Sequence, residues 1–158
     1  MTIGNFKALN SEEKKFLKET KRIAKKSVAN GRSHVGALVM GTKGGIYKGV
    51  TIARTRAIGS TCSERMALDQ LYFSGKEAPK TVFTIGTFNR PGWKDNFVCT
   101  PCGVCLEMFF ESTKFFNISS IDLICSSWDM TKILRCKLEE LFPQIDKNNW
   151  QRDGSTTL

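Results

Sequence analysis

Glu64 stands two residues after Cys62, and further along the chain reads Thr100-Pro101-Cys102-Gly103-Val104-Cys105. These positions supply three thiols and one carboxylate, the donor set and proton carrier of a zinc centre that activates water. Three protein ligands leave the fourth tetrahedral position to water, which distinguishes a catalytic zinc from a closed structural one. Coordination can bring the pKa of that water from about 15.7 down to about 7. Three thiolates donate more charge than imidazoles would, so the metal is a poorer acid unless a cation offsets them. Arg65, directly after Glu64, is placed to do so by hydrogen bonding to a ligand sulfur.

The elements that must hold these groups are legible nearby. Thr100-Pro101 is helix-start chemistry: Thr can cap, and Pro is tolerated at the first helical position because its missing N–H would have no partner there. Cys102 and Cys105 are then on one helix face, and the positive end of the helix favours thiolate over thiol. Cys62, behind Ser60 and Thr61, has the same placement at the start of another helix, so two helix N-termini would converge on one metal. Other readings stay open at this level. Thr61-Cys62-Ser63-Glu64 also fits a capping box, in which Glu64 bonds back to the Thr61 backbone. Cys99 makes a C-x-x-C-x-x-C run with Cys102 and Cys105, which together with Cys62 could close a four-thiolate structural zinc or hold an iron–sulfur cluster. Cys125 and Cys136 sit among apolar residues and read as small buried hydrophobes. The sole histidine, His34, flanks a strand edge and reads as a pocket or core side chain.

Around these motifs the hydrophobic pattern gives strands alternating with helices. Asn10 to Asn30 reads as an amphipathic helix, with Phe16, Leu17, Thr20, Ile23, Ala24 and Val28 at helical spacing and Asn10 with Glu13 as its cap. Val35 to Met40, a turn from Gly41 to Gly45, and Ile46 to Ile52 make a hairpin. A second helix spans Cys62 to Phe73 and stops at Gly75. Val82 to Ile85 is a third strand, followed by a loop from Phe88 to Phe97 long enough to border a pocket. The third helix begins at Pro101 and continues through Leu106, Met108, Phe109 and Phe110. Ile121 to Cys125 and Lys132 to Arg135 are the last strands, and Leu138 to Phe142 is a final helical turn stopped by Pro143. This layout implies a mixed sheet with helices on both faces. Residues 1–143 form one domain, and 144–158 a polar tail with Trp150 as its obvious anchor.

The 158-residue chain is of single-domain size. Its 24 Lys and Arg against 15 Asp and Glu give a net charge of +9, concentrated on the first helix as a solvated basic face. A nucleic-acid surface is the competing reading of those charges, but the basic residues lack interleaved aromatics for stacking bases. No apolar run reaches the length of a membrane span, and Met1 to Asn10 lacks the apolar stretch of a signal peptide, so a cytoplasmic, membrane-free protein is expected.

His34-Val35-Gly36-Ala37, Gly45 to Val50, Thr61 to Arg65 and Thr100 to Cys105, taken together and in order, resemble the small cytidine deaminase family from the first helix to Pro143. The resemblance implies an α/β fold: a three-layer α/β/α sandwich around a five-stranded mixed sheet, assembled as a homotetramer. It also implies zinc on Cys62, Cys102 and Cys105, and Glu64 as the proton shuttle of a hydrolytic deamination. The Ser63 N–H would hold the ring carbonyl of a nucleoside-like small molecule and the Thr100 carbonyl its amine. Members acting on cytidine carry Asn and Glu after the second strand to hold the ribose; here Thr51 and Ala53 replace them, with Arg54 and Arg56 following. His34 to Ala37, Ile58-Gly59 and Glu107 are most similar to the blasticidin S deaminase branch, whereas Leu106 departs from the Arg common to both branches. A deaminase acting on polynucleotide and a non-catalytic zinc protein are the alternatives.

Overall fold

The computed structural model describes residues 1–29, 33–55, 59–75 and 77–142. Arg56, Ile58, Pro143 and the polar tail with Trp150 lie outside them. The first helix, α1 (Ser11–Ala24), starts where expected: Asn10 Oδ1 accepts the Glu13 N–H at 2.8 Å, and Glu13 returns the bond to the Asn10 N–H at 3.0 Å. It ends at Ala24, short of the expected Asn30, because the chain turns at Lys26 and Ser27 to feed the sheet. Its apolar stripe, Leu17, Thr20, Ile23 and Ala24, is buried.

One six-stranded sheet carries the fold, in the order β1-β6-β5-β4-β2-β3. Its strands are β1 (Thr2–Gly4), β2 (His34–Gly41), β3 (Ile46–Val50), β4 (Pro79–Thr87), β5 (Asp122–Ser126) and β6 (Ile133–Lys137). Five strands follow the expected plan, while the sixth, β1, is a short exposed segment that adds to the edge at β6. Three residues without apolar alternation leave no strand signal, so β1 was not expected. Strand β4 extends beyond the apolar run Val82 to Ile85 at both ends, because pairing with β2 continues from His34↔Thr87 to Gly41↔Pro79.

Alternation along the strands divides the core into two layers. Leu38, Phe83 and Ile124 face α1 and pack with Leu17, whereas Val39, Val82, Leu123 and Cys125 face α2 (Ser63–Ser74) and α3 (Gly103–Phe115). Both faces are therefore covered, giving the three-layer arrangement, and Cys125 and Cys136 lie buried in the second layer. A final turn, α4 (Leu138–Leu141), packs against α3. Strands β3 and β4 both run antiparallel to β2, and β5 runs parallel to β4. Helix α2 follows β3 and α3 follows β4, so both begin at the same end of the sheet. That shared end brings their N-termini together.

The other end of the hairpin is held by a buried carboxylate that sequence reading passed over. Glu77, 8 % exposed, accepts hydrogen bonds from the Tyr47 hydroxyl at 2.7 Å and the Lys43 N–H at 2.6 Å. Gly41 and Gly45 make room for it, since a Cβ at either would overlap that carboxylate. Burial by itself raises the Glu77 pKa, but the bonds from Tyr47, Lys43 and Gly45 outweigh it and hold the carboxyl below its ordinary value. A depressed folded pKa contributes stability above the unfolded value, near 4.3, that is lost as pH falls through the folded one. Glu77→Ala is expected to cost about 1–3 kcal/mol in urea unfolding at pH 7. The gap to the parent protein should narrow as the pH is taken down towards 3; a constant gap would remove the ionised carboxylate from the account.

Candidate active site

Cys62 and Cys102 are the N-cap residues of α2 and α3, both in extended backbone (φ −74°, ψ 146° and φ −73°, ψ 168°). The helices start at Ser63 and Gly103, one and two residues later than the predicted starts at Cys62 and Pro101, and Thr100 is not the cap. Neither helix has a side-chain cap bond; the cysteines occupy the capping positions instead. Cys105 lies one turn into α3 and is 2 % exposed. The sulfurs of Cys62, Cys102 and Cys105 all lie within 4.8 Å of one another, and Cys102 to Cys105 is 3.7 Å. A tetrahedral zinc with Zn–S bonds of about 2.3 Å needs sulfurs about 3.8 Å apart. The donor set and its spacing therefore fit zinc. The three thiols are thus a candidate centre for a zinc cofactor.

Cys99 does not join this group. Its N–H donates to the Ser126 carbonyl at 3.1 Å, its own carbonyl accepts from the Thr84 hydroxyl at 2.8 Å, and its sulfur faces Gly86. These bonds anchor the segment before α3 to Thr84 within β4 and to Ser126 at the end of β5, three residues ahead of Cys102. Among the described residues, the set of candidate metal donors is three thiols, which disfavours a four-thiolate cluster.

Glu64, in the first turn of α2, is 6 % exposed. Its partner is not the Thr61 backbone, as a capping box would require, because the Thr61 N–H donates to the Ile52 carbonyl at 2.9 Å. The carboxylate instead accepts from the Ser63 hydroxyl at 2.8 Å. Burial pushes its pKa above the ordinary range, against the smaller opposing effect of its hydrogen bonds. Its charge is felt by the thiols of Cys62 and Cys105, whose pKa values are raised first by burial and then by Glu64. Arg65 is partly buried and favours the Cys62 thiolate through its charge.

The remaining expected site residues fall around this centre. Ser63 is fully buried at the first position of α2, where a helix N–H lacks an intrahelical acceptor. Thr100 is exposed, two residues before Cys102. Ile52 bridges Thr61, so the segment Thr51 to Arg54 runs beside Cys62, and the Arg54 N–H donates to the Ser60 hydroxyl at 3.0 Å. His34 lies on the α1 face of the sheet, stacked on Trp128 with ring centroids 5.6 Å apart, and lines a separate cavity of about 400 Å³. The loop after β4 is fastened on both sides, by Thr87 to Asp95 at 2.6 Å and by the Asn89 N–H to Ser33 at 2.9 Å. Its aromatic residues Phe88, Trp93 and Phe97 pack edge to face.

Gly49 is a positioning residue that the sequence marked only faintly, as a glycine within a strand. A Cβ there would overlap the Ser63 carbonyl oxygen and come within 2.8 Å of the Ala67 nitrogen. Only glycine lets β3 press against the first turn of α2, where Glu64 sits. Gly49→Ala is expected to lower the unfolding temperature by several degrees and to reduce turnover more than tenfold, because even a shift of about 1 Å can cost two orders of magnitude. Activity and thermal unfolding measured together check this, and a variant matching the parent in both would contradict it.

A family model for the cytidine and deoxycytidylate deaminase zinc-binding region matches residues 10–117. Solved structures of similar fold include cytidine deaminase from Burkholderia pseudomallei, with a TM-score of 0.67 at 17% identity over 85% of this chain and 98% of that one. Cytidine deaminase from Bacillus anthracis gives 0.62 at 18% identity, over 84% of this chain and 88% of the other. The enzyme from Mycobacterium leprae gives 0.60 at 17% identity, over 81% and 94%. No curated protein sequence matches the chain at a significant level.

Proposed function

The chain belongs to the cytidine and deoxycytidylate deaminase zinc-binding family, and from that premise we propose that it is a hydrolase converting the amine of a cytosine ring to a carbonyl with release of ammonia. The observation that carries this reading is the buried Glu64 carboxyl in the first turn of the helix capped by Cys62, whose sulfur groups with Cys102 and Cys105 within 4.8 Å. Held by those sulfurs, zinc supplies the Lewis acidity that makes water a nucleophile near neutral pH.

The rest of the reaction falls to the protein. Glu64 takes one proton from the attacking water and passes it to the ring nitrogen, then carries the hydroxyl proton of the resulting adduct to the departing amine as the carbonyl forms and the C–N bond breaks. The Ser63 hydroxyl orients that carboxyl, while burial keeps bulk water from competing for the proton. The Ser63 N–H holds the ring carbonyl, the Thr100 carbonyl receives the amine, and Arg65 offsets the thiolate charge at Cys62. The deaminase domain is residues 1–143, in a cytoplasmic homotetramer.

The substrate is a free nucleoside or a nucleoside antibiotic such as blasticidin S. Thr51 and Ala53, beside Cys62, lack the hydrogen-bonding reach of the Asn and Glu that hold a ribose, and an absent partner can cost orders of magnitude in discrimination. Plain cytidine is therefore the poorer substrate, and Arg54 suits an anionic or larger one. Placement of the first helix on the sheet face opposite the thiols gives no support to a polynucleotide substrate. Ammonia release from the zinc-loaded protein with cytidine, deoxycytidine, their monophosphates and blasticidin S tests the proposal. Silence across that panel would defeat it, and full activity on cytidine would defeat only the ranking of plain cytidine as the poorer substrate.

A further inference from the structure

A cavity of about 740 Å³ that none of the three thiols lines lies between α1 and the edge strand β3. Its floor is Phe16 and Ile46 with Leu38 beneath them. A smaller cavity of about 310 Å³ shares Arg22 and Lys48 with it and continues to Lys26 and Met66. Six cations, Lys14, Lys15, Lys18, Arg22, Lys26 and Lys48, line this continuous groove against one carboxylate, Glu19. Glu19 is engaged by Arg22 at 2.6 Å and by Lys48 at 2.8 Å. The groove reaches α2 only at Met66, and neither Glu64 nor any of the three thiols lines it.

We propose that this groove docks an acidic amphipathic helix from another protein, with apolar side chains on the floor and carboxylates along the rim. Three considerations select that occupant. The like charge of the rim repels the same face of a second copy. A polynucleotide would need open aromatic faces for its bases. Phe16, the sole ring among the described lining residues, packs instead on Phe83 with centroids 5.6 Å apart. Addition of an extended strand to β3 is opposed because the outward carbonyl of Lys48 already accepts from the Gln70 amide at 2.9 Å. From Lys14 to Lys26 the helical stretch and the turn after it span about 18 Å at about 1.5 Å per residue, the length of a partner helix of about 12 residues.

The test uses the full chain and three probes at fixed ionic strength, read by fluorescence anisotropy. One is a synthetic helix-forming peptide of about 14 residues with leucines on one face and glutamates flanking them, about 21 Å when helical. The second is its scrambled isomer of identical composition, and the third is single-stranded oligothymidine. The patterned peptide should bind at least about tenfold more tightly than the scrambled one, a difference of about 1.4 kcal/mol. Its binding should weaken by about tenfold or more in Lys15→Glu/Lys18→Glu, with zinc content unchanged and weakening further as salt rises. The proposal is overturned by any of three results: equal affinity for both peptides, no effect of the charge reversal, or tighter binding of the oligonucleotide than of the patterned peptide. No binding by the patterned peptide overturns it as well.

Discussion

Replacing Glu64 with glutamine is expected to remove deamination while leaving the zinc centre in place. Glutamine has nearly the same shape and can still accept from the Ser63 hydroxyl, but it cannot take up and release a proton. Proton transfer by a positioned side chain is worth about 10²–10⁴-fold, so ammonia release on the best substrate of the panel should fall by at least that factor. Zinc content should remain near one per chain. Stability gives a second, independent readout. Burial raises the Glu64 pKa in the metal-free protein, and a raised folded pKa contributes stability below the unfolded value that is lost as pH rises through the folded one. Glutamine carries no such dependence, so metal-free Glu64→Gln should be at least as stable as the metal-free parent at pH 8. A zinc-loaded variant that turned over at the parent rate would show that Glu64 is not the proton carrier.

Cys105→Ser should act on the metal and on the fold together. Cys105 is the deepest of the three thiols, at 2 % exposure, and an alcohol is a poor ligand in place of a thiolate. Zinc bound to the folded state alone adds about 4 kcal/mol when its free concentration is a thousand times Kd. For a chain of this size that corresponds to about 8–16 °C of unfolding temperature. The variant is therefore expected to purify with little zinc, to unfold about 10 °C below the parent, and to be insensitive to chelator. The parent treated with chelator should fall to the same temperature. A variant that kept both its zinc and the parent's unfolding temperature would remove Cys105 from the ligand set. The pH dependence follows from the same groups. Burial and the charge of Glu64 push the Cys62 and Cys105 thiols upward, so binding must release protons, and zinc retention weakens as pH falls. With three thiols the affinity drops by up to about a thousandfold per pH unit, measurable by chelator competition between pH 6 and pH 8.

Much of the chemistry was legible because it rests on residue types whose alternatives are few. Three cysteines at those spacings beside an acidic residue admit few roles, and Asn10 with Glu13 states a helix start in local hydrogen-bonding terms. The hairpin, both central helices and the mixed sheet followed from periodicity. Boundaries were less certain where pairing, rather than composition, sets the end of an element. Strand β4 continues beyond its apolar core because β2 continues beside it, and β1 exists because β6 offers an open edge. Neither cause is written in the segment concerned.

The capping question shows the same division at atomic scale. Thr61 and Glu64 have the right spacing for a capping box, and nothing local speaks against it. The bridge from Ile52 takes the Thr61 N–H and leaves the Glu64 carboxylate to Ser63. Cys99 is a parallel case: its spacing to Cys102 equals that of Cys102 to Cys105, yet bonds to Ser126 and Thr84 hold it outside the thiol group. Gly49 and Glu77 became visible only through distant partners, an α2 carbonyl in one case and the hairpin turn in the other.

The sequence by itself therefore determined the candidate reacting groups and the elements that bear them, since ligand chemistry and helix-start chemistry are properties of short segments. Tertiary structure alone decided which cysteines meet, which face of the sheet holds the basic groove, and where the Glu64 carboxylate goes. Those outcomes depend on strand direction and on competition for backbone N–H groups between segments far apart in the chain.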